Sequence, residues 1–193
     1  MRKGFMDEAR DSQIMFRRLL TAMAHPGTLM ESPVEISPPE ELHHAAGAIL
    51  LALLDDETPL WSHLRTGSEE IQWLRFHTGA PGTLNPTNAL FALETSWKNL
   101  NDPTCYYPGS TMAPESATTL IVQAPAIVGS GGLSLTGPGI ETRTTLHIEG
   151  VNASFFHHRS KLKNQYPLGV DMVFVSHTTF VAIPRTISIE VTP

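Results

Sequence analysis

Four side chains in this sequence have the types and positions to hold an anion. Arg75, His77 and Thr78 come together in the run Arg75-Phe-His-Thr78, and Arg185 follows Ala182-Ile-Pro. A guanidinium offers a planar fork of donors that fits carboxylate or phosphate two bonds at a time, and an imidazole or hydroxyl adds a third donor. The Arg75 run stands where a helix is expected to end, with Gly79 and Pro81 just beyond. Arg185 stands at the end of an expected late strand, and strand ends in α/β sheets are where ligands collect. Each site also has a plainer reading. An arginine near a helix C-terminus neutralises the negative end of the helix dipole without any ligand. Arg17 and Arg18 lie off the apolar stripe of the first helix and read as surface or interface residues.

Other chemistry finds less support. The sequence has no Gly-x-x-x-x-Gly-Lys phosphate loop, no Gly-x-Ser-x-Gly and no His-Glu-x-x-His. Gly129-Ser-Gly-Gly132 and Gly137-Pro-Gly139 read as hairpin connections, because no helix follows them to present its N-terminus to a phosphate. Nine histidines invite a metal. The pairs His43-His44 and His157-His158 are expected on helices, where neighbours point about 100° apart and cannot share one ion. A metal would need a further partner such as His25, His63 or His77, and no ligand spacing is diagnostic, so none is expected. Asp55-Asp-Glu57 could hold Mg²⁺ beside a phosphate, but a polar turn between helix and strand explains it more simply.

The chain has 193 residues, enough for one substantial core, and its net charge of −6 argues against nonspecific nucleic-acid binding. Its single cysteine, Cys105, excludes an internal disulfide framework and fits a reducing compartment. The N-terminal stretch has no apolar run to serve as a signal peptide, and the longest apolar stretch, residues 45–54, is about half a membrane span. A cytoplasmic protein with no membrane contact is therefore expected.

Periodicity supplies the elements that must carry these groups. A first helix is expected from Asp11-Ser12 to about Ala24, with Met15, Phe16, Leu19, Leu20 and Met23 as its apolar stripe. Pro26 and Gly27 stop it. A second, largely buried helix is expected from Pro38-Pro39 through Leu54, and a short strand over residues 58–62. The capping-box spacing Thr66-Gly-Ser-Glu69 opens a third helix ending near Leu74. The second half reads as strands over 90–93, 118–123, 133–136, 143–148, 170–176 and 180–183, with one helix over 153–165 capped by Asn152. Helices, hairpins and crossovers in this order predict one α/β domain over residues 1–193, a mixed sheet with helices on its faces.

The sequence also resembles a known family. Phe16-Arg-Arg-Leu-Leu-Thr-Ala-Met-Ala-His-Pro-Gly27, Leu50-Leu-Ala-Leu-Leu-Asp-Asp-Glu-Thr-Pro-Leu-Trp61 and Leu74-Arg-Phe-His-Thr-Gly-Ala-Pro81 are similar to stretches of the PhnH subunits of the bacterial carbon–phosphorus lyase system. So are Ala113-Pro-Glu-Ser-Ala-Thr-Thr-Leu-Ile-Val-Gln123, Leu133-Ser-Leu-Thr-Gly-Pro-Gly-Ile140, Tyr166-Pro-Leu-Gly-Val-Asp171 and Val181-Ala-Ile-Pro-Arg-Thr186. They run in the family's order over nearly the whole chain. Residues 31–44 and 95–108 carry the least of its pattern.

The resemblance implies a three-layer α/β/α fold like that of the pyridoxal-phosphate-dependent transferases, in a homodimer. It implies work with PhnG, PhnI and PhnL in transferring the ribose triphosphate of ATP to an alkylphosphonate with release of adenine. It implies, too, a place in the core assembly with PhnG, PhnI and PhnJ. No pyridoxal phosphate is expected, because Lys3, Lys98, Lys161 and Lys163 stand at a terminus, in a polar stretch or on an exposed helix. A Schiff base needs an enclosed lysine. A stand-alone enzyme acting on a small phosphorylated substrate, and a purely structural scaffold, are the two rival readings. The apolar helix over 45–54 and the hairpins after Gly129 are the expected contributors to the dimer.

Overall fold

The computed structural model describes residues 2–100, 102–151, 153–163 and 165–192, with the side chains at 99 and 161–163 outside that description. Helix α1, Glu8–Ala24, begins earlier than Asp11-Ser12 because Asp7 is its cap, accepting from Arg10 N. The Asp11 carboxylate folds back to accept from Met6 N and Asp7 N, tying down the first turn. Met15, Leu19 and Ala22 are buried, while Phe16 and Leu20 are 43% and 52% exposed. The apolar stripe is thus wider than the buried face. After the two-residue strand β1, Met30–Glu31, comes α2, His44–Leu53. Residues 38–43 turn instead of opening this helix, with Leu42 N donating to Pro39 O and His43 extended at the cap. Ala45, Ala46, Ala48, Ile49 and Leu50 are fully buried in the chain's own core, while Leu51, Ala52 and Leu53 in the last turn of α2 are half-buried.

Strand β2, Leu60–Ser62, leads to α3, Glu69–Thr78. Its cap is Ser68, which accepts from Ile71 N, rather than Thr66. The helix runs past Leu74 until Gly79, at φ +74°, closes it in the left-handed conformation that glycine adopts without strain. Strand β3, Phe91–Glu94, and β4, Thr119–Gln123, are separated by three single turns of 3₁₀ helix at Trp97–Asn99, Pro103–Cys105 and Pro114–Ser116. There follow β5, Ile127–Thr136; β6, Thr144–Ile148; α4, Ala153–Lys163; β7, Asp171–Ser176; β8, Thr179–Ile183; and β9, Ser188–Val191. Asn152, the expected cap of α4, lies outside the described residues.

Six strands form a mixed sheet in the order β1-β8-β7-β4-β3-β2. Strands β2, β3, β4 and β7 are parallel, and β8 and β1 are antiparallel. Alternate residues face opposite cores. Leu93, Ile121, Val173, Val175, Phe180 and Ala182 pack beneath α1, α2 and α3. Ala92, Leu120, Val122, Met172, Phe174, Val181 and Ile183 face the other way. That second side is covered by α4 and by an antiparallel sheet ordered β6-β5-β9. The third layer is therefore a small sheet with one helix, not a layer of helices. Residues 129–132 are a bulged part of β5, where the register to β6 shifts between Val128 and Leu133, and not a hairpin connection. Residues 137–139 do sit in the connection between β5 and β6. Among the described residues no helix is long and apolar enough to cross a membrane.

Candidate functional site

The carboxyl ends of the four parallel strands carry a row of polar groups. Beyond β2 and β3, His63 Nε2 lies 3.6 Å from a carboxylate oxygen of Glu94, which is 1% exposed. Tyr106 donates its hydroxyl proton to that same oxygen at 2.6 Å. Trp61 packs edge-on to both the His63 and Tyr106 rings. At the end of β4, Gln123 accepts from His43 N at 2.7 Å and donates to Glu41 O at 2.9 Å, fastening the start of α2. At the end of β7, His177 stacks on His43 with ring centroids 4.8 Å apart. The His177 backbone N–H donates to His43 Nδ1 at 3.2 Å, so the neutral His43 ring carries its proton on Nε2. Burial, and then the neighbouring His177, hold the His43 pKa below its ordinary value. Burial also lowers that of His44.

The chain leaving β3 builds a cleft of about 190 Å³ against the first turns of α4. Asp102 caps the turn Pro103–Cys105 with one oxygen and meets His158 Nδ1 with the other at 2.7 Å. Helix α4 leads into β7, so its beginning lies at the carboxyl edge of the sheet. The Asp102–His158 pair joins these two walls. Gly150, at φ +86°, lets Trp97 approach so closely that a β-carbon there would lie 2.4 Å from Trp97 Cδ2.

The four anion candidates lie elsewhere, toward the amino ends of the parallel strands. Residue Gly82, just after α3, bridges to Leu60 at the start of β2, which puts the end of α3 at that edge. There the Thr78 hydroxyl donates to Leu74 O and accepts from Ala80 N. His77 Nε2 donates to Arg2 O at 3.2 Å, and its ring packs edge-on to Trp73. Arg75 is exposed, with no side-chain partner among the described residues. Arg185 is bound to Asp171 at the start of β7 and donates to Pro114 O at 2.6 Å. Strand β8 runs antiparallel to its neighbours, so its end is not the ligand-collecting edge of the sheet. Structure therefore groups Arg75, His77 and Thr78 on one helix end and leaves Arg185 near β7.

Arg159, which no sequence motif marks, is 2% exposed and donates to Ile187 O and to Pro184 O, the latter at 2.6 Å. Burial draws its pKa down to about 10, against the raising effect of Asp171. The turn at residues 55–57 is held by its own hydrogen bonds, Glu57 N to Asp55 Oδ1 and Thr58 Oγ1 to Asp55 O. Among the described residues no three of His, Cys, Asp and Glu are grouped to hold a metal.

The family description "Bacterial phosphonate metabolism protein (PhnH)" matches residues 3–190. The chain belongs to the PhnH family. It is 29% identical over 188 residues to the alpha-D-ribose 1-methylphosphonate 5-triphosphate synthase subunit PhnH of Rhizobium meliloti (strain 1021), covering 97% of this chain and 94% of that one. It is 27% identical over 184 residues to the putative C-P lyase subunit protein HtxG of Stutzerimonas stutzeri, covering 95% and 88%. PhnH homologues are thus subunits of the phosphonate ribosyl-triphosphate synthase and C–P lyase system.

In this PhnH chain, Lys3 and Lys98 are exposed, and neither is enclosed as a Schiff-base lysine must be. The side chains of Lys161 and Lys163 lie outside the described residues. The polar row and the cleft draw in part on residues 31–44 and 95–108. No short motif joins Glu94, Tyr106 and Asp102, and His158 stands out in the sequence only as half of a histidine pair weighed for a metal. Only the fold brings the end of β3 to the start of α4.

Proposed function

We propose that this chain is a subunit of the assembly that transfers ribose 5-triphosphate from ATP to an alkylphosphonate with release of adenine. It works there with PhnG, PhnI and PhnL, and joins PhnG, PhnI and PhnJ in the C–P lyase core, in the cytoplasm and as a homodimer. The observation that carries this reading is the family match over residues 3–190, with a synthase subunit aligned over nearly the length of both chains. Exposed Phe16 and Leu20 on α1 give it apolar surface for assembly. A likeness to the pyridoxal-phosphate-dependent transferases goes with it as a likeness of shape alone, without the cofactor.

Arg75, His77, Thr78 and Arg185 are its proposed anion contacts. Exposed Arg75 is the first to substitute, because its removal disturbs no internal bond among the described residues. The test is growth. A strain lacking this gene, supplied with methylphosphonate as sole phosphorus source, regains growth when the chain is restored. Growth without it sinks the reading.

A second reading, a stand-alone enzyme acting on a small phosphorylated substrate, draws support from the Asp102–His158 pair facing a cleft. Turnover by the purified chain alone distinguishes it.

A further inference from the structure

The cleft between α4 and the stretch that carries Trp97, Lys98, Leu100 and Asp102 has both an apolar and a polar part. Phe155 is buried in the core against Phe156 and Phe174, and with the Trp97 indole it gives an apolar floor. Lys98, Ser154 and His158 add polar groups to the same lining. Lys98 is exposed, with its ammonium nitrogen 5.5 Å from the Trp97 ring centroid. Asp102 accepts from the His158 Nδ1–H at 2.7 Å, which fixes the ring and leaves Nε2 without a partner among the described residues. Because the Asp102 charge is already engaged by His158, the groups left to meet a ligand are donors and cations.

We propose that this cleft binds a small oxyanion bearing an apolar group, the oxyanion on Lys98 and His158 and the apolar group against Trp97 and Phe155. Asp102 is a positioning residue, orienting His158. At about 190 Å³ the cleft is smaller than the ~300 Å³ at which pockets for drug-sized ligands begin. That volume suits a compact anion. The inference rests on the phosphonate reading only for the choice of probe.

The test is a titration of the purified chain with methylphosphonate and, separately, inorganic phosphate. Binding is followed by tryptophan fluorescence and by the NMR signals of the His158 ring. Methylphosphonate is expected to saturate with a Kd of about 1 mM or tighter, which corresponds to about −4 kcal/mol. Phosphate, which lacks the apolar group, binds several-fold more weakly. Lys98→Met and His158→Gln each weaken methylphosphonate at least tenfold, and Trp97→Phe removes the fluorescence response. Lys98 is exposed, so its substitution leaves the fold intact and reads the site directly. No saturation in that range, equal affinity for the two anions, or unchanged affinity in Lys98→Met overturns the proposal. Failure here with growth still restored by the chain refutes the cleft and leaves the subunit reading standing.

Discussion

Asp171 grips Arg185 along its whole length. One carboxylate oxygen accepts from the Arg185 backbone N–H at 2.7 Å, and the other accepts from Nε at 3.0 Å and Nη2 at 2.5 Å. Both side chains are 15% exposed. The pair ties the turn after β8 to the first residue of β7, and Arg185 extends the tie to Pro114 ahead of β4. Breaking a buried pair strands the remaining charge. Arg185→Met is expected to lower stability by about 3 kcal/mol in urea unfolding. A change within about 0.5 kcal/mol would mean that Arg185 is not needed for the fold, and would favour a ligand-contact role for it.

His43 and His44 make stability depend on pH, with a definite sign. Burial is the main cause lowering both pKa values, and His177 adds to the effect on His43. A histidine with a depressed folded pKa contributes its full stability above the unfolded value of about 6.5. That contribution is lost as pH falls below 6.5 toward the folded pKa, because the unfolded chain takes the proton first. The thermal midpoint should therefore drop between about pH 7.5 and about pH 5.5, one unit either side of the free histidine. His43→Asn should flatten the drop. An equal slope in the variant would show that the stacked ring contributes nothing to it.

Tyr106→Phe removes the hydroxyl that donates to Glu94 and keeps the ring packed beside Trp61. A buried carboxylate that loses a donor costs about 1–3 kcal/mol. Calorimetry of the variant checks this, and a neutral result would mean that the Tyr106 hydroxyl is not needed to satisfy Glu94.

Gly150→Ala places a β-carbon 2.4 Å from Trp97 Cδ2 at a backbone φ of +86°. Both the contact and the conformation oppose it, so stability should fall by more than about 1 kcal/mol. Trp97 must move, and its fluorescence should shift with it. An unchanged spectrum would place Trp97 away from the β6–α4 turn.

The helices and most strands were legible because their apolar residues recur at regular spacing, as with Ile121 and Val173 facing one core and Leu120 and Met172 the other. Strands β1 and β9 were not. Two residues carry no period, and Ser188–Val191 becomes a strand only because β5 is there to pair with it. Capping was misread where two candidates stood close together, Asp7 beside Asp11 and Thr66 beside Ser68. Arg75 and Arg185 were visible by residue type, but type does not reveal that Arg185 already has Asp171. The polar row is the opposite case. His63, Glu94 and Tyr106 lie far apart in sequence and belong to no motif, and parallel pairing of β2 with β3 is what joins them.

We propose above all that this chain works inside a phosphonate-processing assembly. Its most direct test is purification of the tagged chain from cells growing on methylphosphonate, with the co-purifying proteins identified by mass spectrometry. Recovery of PhnG, PhnI and PhnJ homologues in constant proportion is the predicted result. Recovery of this chain alone, with those proteins demonstrably expressed, would contradict it.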